Sequence, residues 1–454
     1  MGITADTIVA PATPSGYGGI SVVRISGSST KKIAKAISLL PNGQKPSYKP
    51  QHTTRALIIE KSGKTFDDGL ITFYKSPNSY TGEDSLEISC HGNPSIVQKI
   101  IERCCEEGAR PAEPGEFTRR SFLNGKIDLL QAEAVASLIY SKSIESASLS
   151  HKVLRGTLSE SINRVKTSLL ESLSQIEFEL DFSEENLQPD LKKSLLLKIT
   201  TSITEYRNLL NTYKSASLMV RGALVVIAGK PNVGKSTLLN ALSGVDRAIV
   251  GSRPGTTRDT IEAQVLFNGV PVRLVDTAGL RSDAEGTEKE GILRAKKALC
   301  DADLVLYLYS VNKKNSIEKK HTCEKPILHI INKCDLISDD NLNKIKTNYP
   351  DFLFLSAKKR TGINPLSSNI NNILTMSPSL SDGAALTTAR QEKEMSSAEG
   401  YLNSALKLLH NKNPEYELVS FEILSSLEKT NSLLGIENTD EVIDHIFSSF
   451  CVGK

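Results

Sequence analysis

The spacing of apolar residues along the chain changes at about Gly125. Before that point, from Thr7 to about Leu123, short apolar runs such as GGISVVRISG, GLITFYK and SLEIS are separated by glycine-containing and polar segments. Such runs predict β-strands, so this region is expected to form a mixed α+β domain. The stretch from Lys126 to Gly156 has no proline and no internal glycine, and it predicts helix.

A long amphipathic helix is predicted next. Its apolar residues recur at steps of three and four, which places them on one face. They are Leu158, Ile162, Val165, Leu169, Leu173, Ile176 and Leu180. Helical patterning returns after about Leu386 and continues to the end, so the module between is expected to be inserted into one helical domain. Two separate helical domains are the alternative, although neither half alone offers a good core.

The inserted module contains a phosphate-binding loop. Residues Gly229–Ser236 read GKPNVGKS, follow the predicted strand Leu224–Ala228 and precede a helix, which fits G-x-x-x-x-G-K-[ST]. The glycines let successive N–H groups point at phosphates. Lys235 is expected to reach the β- and γ-phosphates, and Ser236 to bind Mg²⁺.

Further motifs identify the base. A second strand ends in DTAG, where Asp276 is the expected carboxylate on the Mg²⁺ side. In the motif NKCD, Asp335 can accept both the ring N–H and the exocyclic amine of guanine, whereas adenine would present an acceptor. The sequence SAK at Ser356–Lys358 adds the Ala357 amide for the guanine oxygen. The motifs together predict a GTP site.

The residues predicted to bind the nucleotide lie in five short segments. They are Asn232, Val233, Gly234, Lys235, Ser236 and Thr237; Gly251, Ser252, Arg253, Pro254, Gly255, Thr256 and Thr257; Asp276, Thr277, Ala278 and Gly279; Asn332, Lys333 and Asp335; and Ser356, Ala357 and Lys358. Either Thr256 or Thr257 is expected to close over Mg²⁺.

Leu280 follows DTAG where Ras-like GTPases have a glutamine, so another group must position the attacking water. The acidic candidates are Asp283, Glu285, Glu288 and Glu290.

The composition excludes several classes of protein. The 55 Lys and Arg residues against 52 Asp and Glu give a net charge of +3, so any RNA contact is expected from a local patch or a partner. The seven cysteines show no CxxC spacing and are expected as reduced thiols. No apolar run approaches the roughly 18 residues of a membrane span, and no signal-peptide pattern is present. We therefore expect a cytoplasmic protein without a membrane anchor.

Four segments outside the nucleotide motifs carry a resemblance to a known family. They are DTIVAPATPSGYGGISVVRISG, YTGEDSLEISCHGNP, PGEFTRRSFLNGKIDLLQAEAVASLI and IFSSFCVGK. With them, nearly all 454 residues resemble the bacterial tRNA wobble-uridine modification GTPases. The resemblance implies a multidomain α/β plus α protein. Its expected domains are a folate-binding domain (1–123), a helical domain in two parts (124–218 and 378–454) and a Ras-like P-loop GTPase domain (219–377).

The resemblance also implies partners and cofactors. It implies a homodimer that works with an FAD-dependent partner, as a heterotetramer, to add a carboxymethylaminomethyl-type group to the wobble uridine of certain tRNAs. The one-carbon donor would be 5,10-methylene- or 5-formyl-tetrahydrofolate. Hydrolysis would be stimulated by K⁺. This ion would neutralise the charge that develops on the phosphates, because no arginine finger is identifiable in the sequence. The implied K⁺ ligands are Asn232, Gly251, Arg253 and Thr256, which leaves Thr257 and Ser236 for Mg²⁺. The implied water-positioning residue is Glu288, with Glu285 or Glu290 as alternatives.

Two further sites follow from the resemblance. Arg24 in an apolar strand is costly unless paired, and a structural ion pair with Glu87 is one interpretation. The resemblance implies instead that Arg24, Glu87, Lys126 and Lys454 bind folate. It also implies a catalytic role in uridine modification for Cys451, for which a packing role is the alternative.

Other functions remain as alternatives. One is an Era-like ribosome-assembly switch that binds RNA, although such proteins usually append a basic domain after the GTPase module. Another is a nucleotide-gated scaffold without folate. The sequence departs from the family pattern at Arg119 and near LTTARQEKE, where we expected an arginine cluster.

Overall fold

The computed structural model describes residues 6–181, 191–244, 262–267, 269–277, 288–311, 325–374, 384–437, 440–448 and 450–454. Its contacts divide the chain into two compact units. One comprises Met1–Ala136 and Asn431–Lys454, and the other comprises Ser137–Thr430.

Both units contain strands and helices. The strands are β1 (Thr7–Pro11), β2 (Gly18–Ser26), β3 (Ser38–Leu39), β4 (Thr53–Ile59), β5 (Thr65–Tyr74), β6 (Ser85–Gly92), β7 (Ala109–Pro111), β8 (Ala223–Gly229), β9 (Glu262–Phe267), β10 (Val270–Asp276), β11 (Leu304–Ser310), β12 (Ile327–Asn332) and β13 (Leu353–Phe354). The helices are α1 (Thr30–Ile37), α2 (Pro94–Glu106), α3 (Glu116–Leu123), α4 (Leu129–Ile139), α5 (Ile144–Leu154), α6 (Thr157–Asp181), α7 (Leu191–Arg221), α8 (Lys235–Ser243), α9 (Glu288–Asp301), α10 (Asp339–Asn348), α11 (Ile363–Leu374), α12 (Ala389–His410), α13 (Tyr416–Leu434) and α14 (Asp440–Ser448).

The first unit is built on a seven-stranded sheet with the order β3-β4-β5-β6-β2-β1-β7. Its pairs are antiparallel except for β1 and β7, which run parallel. Alternate residues of β2 point to opposite faces, so Val23 and Ile25 are fully buried while Arg24 lies on the other face. The three predicted strands and the mixed α+β class of this region are therefore confirmed.

The end of the chain packs in this first unit. The rings of Phe447 in α14 and Phe122 in α3 lie 6.3 Å apart, and the Gly115 amide donates to the Cys451 carbonyl at 3.3 Å. Gly115 has a φ of 69°, and a Cβ there would lie 2.5 Å from the Phe447 carbonyl oxygen. Residues 431–454 therefore belong to the first unit, whereas the sequence predicts them in the second part of the helical domain.

The helix predicted between Lys126 and Gly156 is confirmed, but it is interrupted. The structure has two helices there, α4 and α5, separated at residues 140–143. The Ser143 side chain accepts a hydrogen bond from the Ser146 amide at 3.1 Å and caps α5. A serine side chain that bonds nearby backbone competes with a continuous helix.

The long amphipathic helix is confirmed as α6. Six residues of its predicted stripe are at most 5% exposed, and only Leu180, near the helix end, is 40% exposed. The stripe packs in a bundle with α7, which in turn contacts α12. Buried Tyr206 of α7 hydrogen-bonds Thr430 of α13 at 2.7 Å. None of the described helices is both long and apolar enough to cross a membrane.

A six-stranded sheet forms the inserted module. Its order is β13-β12-β11-β8-β10-β9, and every pair is parallel except β9 with β10. Central β8 is nearly continuous in apolar residues because both its faces are covered. The carboxyl ends of β8, β10 and β12 meet at one edge, where parallel α/β sheets place their ligands.

Candidate functional site

The phosphate-binding loop joins β8 to α8. Gly229 and Gly234 have positive φ angles of 146° and 100°, and a Cβ at Gly229 would lie 2.5 Å from the Leu308 carbonyl oxygen. Only glycine fits such a close approach of two strands. The Lys235 ammonium donates to the carbonyls of Gly229 and Lys230 at 3.1 and 3.2 Å, so it lies across the loop.

Two oxygen groups meet beside this loop. The Ser236 hydroxyl donates to Oδ2 of Asp276 at 2.7 Å, and Asp276 is 3% exposed at the end of β10. Thr277 is fixed by hydrogen bonds from its amide and hydroxyl to the Ile227 carbonyl. Hydroxyl and carboxylate oxygens are the ligands that Mg²⁺ prefers, so this donor set fits that ion.

Asn332 connects the phosphate loop to the SAK loop. Its side-chain amide nitrogen donates to the Val233 carbonyl at 2.9 Å, and its oxygen accepts from the Ala357 amide at 3.0 Å. The Lys333 ammonium donates to the Asn232 carbonyl at 2.6 Å. Three of the predicted segments therefore hold one another, a bracing role of Asn332 that the motif alone did not indicate.

The carboxylate proposed to recognise guanine has a defined orientation. The Ser356 hydroxyl donates to Oδ1 of Asp335 at 2.5 Å, and this bond is the main reason that the pKa of Asp335 is lowered. Lys359 and Lys358 lower the pKa further. Asp335 is thus ionised at neutral pH, as an acceptor of two guanine N–H groups must be.

Several predicted nucleotide residues lie outside the part of the chain that the structure describes. They are Gly251, Ser252, Arg253, Pro254, Gly255, Thr256, Thr257, Ala278 and Gly279. Asp283 and Glu285 lie outside it as well. Glu288 is the first residue of α9, and the side chains of Glu288 and Glu290 are not among those described.

A second cluster of functional candidates lies in the first unit. Arg24 of β2 and Glu87 of β6 are register partners, and Oε1 of Glu87 accepts from Nη2 at 2.8 Å and from Nε at 3.1 Å. The side chains are 16% and 30% exposed. The ion pair expected from the sequence is present, on the face of the sheet opposite the core.

Aromatic rings and the chain terminus complete this cluster. The Arg24 guanidinium carbon lies 5.5 Å from the centre of the Tyr80 ring and 5.8 Å from that of Phe117. Its Nη1 also faces the Gly453 carbonyl at 3.4 Å. Sequence reasoning missed both rings, although Tyr80 lies in YTGED and Phe117 in PGEFTRR. Phe117 is fully buried, and we call Arg24, Glu87, Tyr80 and Lys454 the N-terminal pocket.

Lys454 adds a second cation to the pocket. Burial is the main cause that lowers its pKa, Arg24 lowers it further, and Glu87 opposes the change. Lys126 is exposed, and its side chain runs beside Gly82, where a Cβ would lie 3.2 Å from the Lys126 Cγ. The structure thus brings together Arg24, Glu87 and Lys454, and it places Lys126 against the loop that carries Tyr80.

Cys451 precedes this terminus. It is exposed, and its carbonyl accepts from the amides of Gly115 and Lys454 at 3.3 Å each. The thiol is therefore not a packed core group, in contrast with buried Cys90 and Cys104. The backbone bonds fix the position of the segment that carries the thiol.

The parallel sheet, the phosphate loop, the Ser236–Asp276 pair and the Asp335–Ser356 pair define a P-loop GTPase. Family models for the GTP-binding protein TrmE N-terminus and the MnmE helical domain match residues 7–126 and 129–451. The chain belongs to the MnmE family of tRNA modification GTPases.

Relatives of full length support this assignment. The tRNA modification GTPase MnmE of Pseudothermotoga lettingae is 39% identical over 457 residues, covering 99% of this chain and 100% of the relative. The protein of the same name from Moorella thermoacetica is 37% identical, covering 99% of both chains. A solved structure, the FeoB G-domain from Methanococcus jannaschii, is 27% identical with a TM-score of 0.24, covering 34% of this chain and 97% of that one.

Proposed function

We propose that this chain hydrolyses GTP to drive modification of the wobble uridine of certain tRNAs. It would act in the cytoplasm as a homodimer, bound to an FAD-dependent partner protein in a heterotetramer. The group added is of the carboxymethylaminomethyl type, and a tetrahydrofolate supplies the one-carbon unit. Full-length similarity to proteins named tRNA modification GTPase supports the tRNA substrate.

The observation that carries the proposal is the charge of the N-terminal pocket. Arg24 and Lys454 contribute two cations, and Glu87 contributes one carboxylate. The acidic group of an anionic ligand would pair with these cations, and the 37% exposed ring of Tyr80 suits a flat heterocycle. A folate, with a pterin ring and an acidic tail, has both features. We therefore assign 5,10-methylene- or 5-formyl-tetrahydrofolate to this pocket, with Lys126 at its edge.

In the nucleotide site, each described group has a role in binding or in hydrolysis. Lys235 would neutralise the β- and γ-phosphates, and Asp335 would select guanine. Ser236 would hold Mg²⁺ with Asp276 on the same side, and Thr257, which lies outside the described residues, would be a further ligand. When bound, Mg²⁺ neutralises charge that develops on the phosphates.

We assign the potassium site and the water-positioning residue by the same resemblance. Asn232, Gly251, Arg253 and Thr256 would bind K⁺, and Glu288 would orient the attacking water. The left-handed backbone of Asn232, with φ of 62°, is compatible with a loop that is shaped for ligands rather than for regular structure.

The test is made in cells and on purified protein. A strain lacking the gene is complemented with wild type, with Cys451→Ser or with Cys300→Ser, and its wobble nucleosides are measured by mass spectrometry. Cys300 is also exposed but lies in α9, so it serves as the matched control. We expect that Cys451→Ser leaves uridines unmodified while it hydrolyses GTP at the wild-type rate, and that Cys300→Ser is normal in both. Full modification by Cys451→Ser would remove the catalytic role from that residue, and full modification without the gene would refute the function.

A further inference from the structure

The loop between β5 and β6, residues 75–84, contributes to the N-terminal pocket without belonging to the sheet. It places Tyr80 over the Arg24 guanidinium and Gly82 against the Lys126 side chain. A hydrogen bond joins the two ends of the loop, because the Ser76 amide donates to the Asp84 carboxylate at 2.9 Å. The position of the whole loop therefore determines where two groups of the pocket lie.

Side chains of the loop bond the neighbouring elements, and one of them is Thr81, whose hydroxyl lies 2.7 Å from the Ser26 hydroxyl of β2. The Tyr80 hydroxyl and the Thr118 hydroxyl of α3 lie 2.9 Å apart. The Glu83 carboxylate accepts from the Ser26 hydroxyl of β2 at 2.8 Å and from Nη1 of Arg120 of α3 at 3.2 Å. The side chains of Glu83 and Arg120 are 13% and 6% exposed, so this ion pair is largely removed from water.

Arg120 is itself held from two further directions. Its Nη2 donates to Asp6 at 2.8 Å and to Glu116 at 2.9 Å. Arg110 bonds the same two carboxylates, each at 2.6 Å. Two arginines and three acids therefore form one network, which fixes the Arg120 guanidinium before it reaches Glu83.

Largely buried ion pairs such as Glu83–Arg120, in a network whose Arg110 and Asp6 are partly exposed, are a poor source of stability. The cost of removing charges from water offsets their attraction, and apolar residues of the same volume often stabilise as well. What such a network provides is geometry, because planar guanidinium groups bond carboxylates in fixed directions. The geometry provided here is that of the 75–84 loop relative to α3 and β2.

We propose that Glu83 and Arg120 are positioning residues of the N-terminal pocket. Their ion pair holds the 75–84 loop on α3, so that Tyr80 covers Arg24 and Lys126 lies at the edge of the site. This inference rests on the proposed folate function, and it adds two residues that do not themselves face the ligand. The ligand class remains an anionic, folate-like heterocycle.

Glu83→Gln is the variant that tests the clamp. It keeps the side-chain volume but removes the charge that Arg120 faces, so the ion pair between the loop and α3 is lost. Affinity for 5-formyl-tetrahydrofolate should fall about tenfold, which is the scale of losing one cation–π contact. It is measured by titration calorimetry well below the melting temperature. GTP hydrolysis should be unchanged.

The matched control is Glu107→Gln. Glu107 faces Arg103, another buried arginine of the same unit, at 3.1 Å, and it lies in the turn after α2, away from the pocket. Glu107→Gln removes a similar ion pair and should leave folate affinity at the wild-type level. If both variants lose affinity equally, the effect is general destabilisation and the positioning role is overturned.

A spectroscopic readout separates position from stability. The chain has no tryptophan, so Tyr80→Trp introduces a single fluorophore into the loop. Adding Glu83→Gln should shift its ligand-free emission to longer wavelength, whereas adding Glu107→Gln should not. Unchanged emission and unchanged affinity in Glu83→Gln would overturn the inference. Absence of folate binding by wild-type protein would instead refute the proposed function of the pocket.

Discussion

The nucleotide site and the N-terminal pocket are built in opposite ways. In the nucleotide site, the described groups lie in short loops at the carboxyl ends of adjacent parallel strands, and each loop corresponds to one contiguous motif. In the N-terminal pocket, Arg24 contacts Gly453 across 429 positions of sequence, and no single motif contains the site. A site made of loops can be predicted from its sequence motifs. A site made of strand faces and the last residues of the chain can be identified only once the fold is known.

The two sites also differ in how their charged groups are held. The ammonium groups of Lys235 and Lys333 donate to backbone carbonyls of the phosphate loop. Arg24 and Glu87 depend on each other's side chains. Substitutions in the nucleotide site are therefore expected to remove single functions, and those in the pocket to disturb several groups together.

The largest expected effect concerns hydrolysis and separates the two sites. Glu288→Ala should bind GTP normally but hydrolyse it about 100-fold or more slowly, the scale of losing a positioned base or orienting group. Its folate affinity should be that of wild type. Single-turnover hydrolysis and calorimetry measure the two properties. Normal turnover would transfer the role to Glu285 or Glu290, which are the control substitutions.

The next effect concerns the choice of base. Asp335→Asn should lower GTP affinity by about 100-fold, because two hydrogen bonds to a charged acceptor are lost. The amide should favour xanthosine triphosphate, whose carbonyl matches the new donor. Asp340→Asn, in the first turn of α10, is the control and should bind GTP as wild type does. Direct titration that finds unchanged GTP affinity in Asp335→Asn would remove the base-recognition assignment.

In the pocket, ligand binding is expected to stabilise the folded chain. Formyl-tetrahydrofolate should raise the melting temperature, because at a hundredfold excess over Kd linkage adds about 2.7 kcal/mol to the free energy of unfolding. Glu87→Ala should remove most of that shift. Asp68→Ala breaks an exposed pair with Arg55 on the same sheet and should keep it. A shift that survives Glu87→Ala would place the ligand elsewhere.

A smaller effect is expected from monovalent cations. Hydrolysis should be several-fold faster in KCl than in NaCl, because a large, loosely hydrated ion suits a site without an arginine finger. Asn232→Ala should abolish the difference. Asn232 has a φ of 62°, which alanine tolerates poorly, so Asn232→Gly is the control for strain. Both variants should lose the salt preference, and its persistence in Asn232→Gly would reject Asn232 as a ligand.

The sequence predicts the nucleotide site more fully than it predicts the N-terminal pocket. The phosphate loop and NKCD were predicted from spacing, since their chemistry requires contiguous residues. The break after α4 was missed because a serine cap at Ser143 leaves the apolar pattern unchanged. Tyr80 and Phe117 were missed because their rings meet Arg24 only through sheet register and the packing of α3. The same applies to the Glu83–Arg120 pair, which joins a loop to a helix.

The smallest expected effect is a pH dependence that belongs to the pocket alone. The pKa of Lys454 lies below its ordinary value of 10.5, chiefly because of burial and the nearby Arg24. An anionic folate favours the charged form of Lys454. Affinity should therefore fall by a few-fold as pH rises through the lowered pKa. GTP affinity should not follow this change.

The ligand-free protein should respond with the opposite sign. Because the unfolded chain binds the Lys454 proton more tightly than the folded chain does, stability rises as pH increases through the same range. In Lys454→Met, the part of the pH dependence that Lys454 causes should be absent from both folate affinity and stability. In Lys64→Met, where an exposed lysine of the same unit is replaced, both trends should persist. Folate titrations and thermal melts at neutral and alkaline pH measure the two quantities. If the affinity of Lys454→Met follows the same pH curve as wild type, then Lys454 does not face the ligand, and the second cation of the pocket must be Lys126.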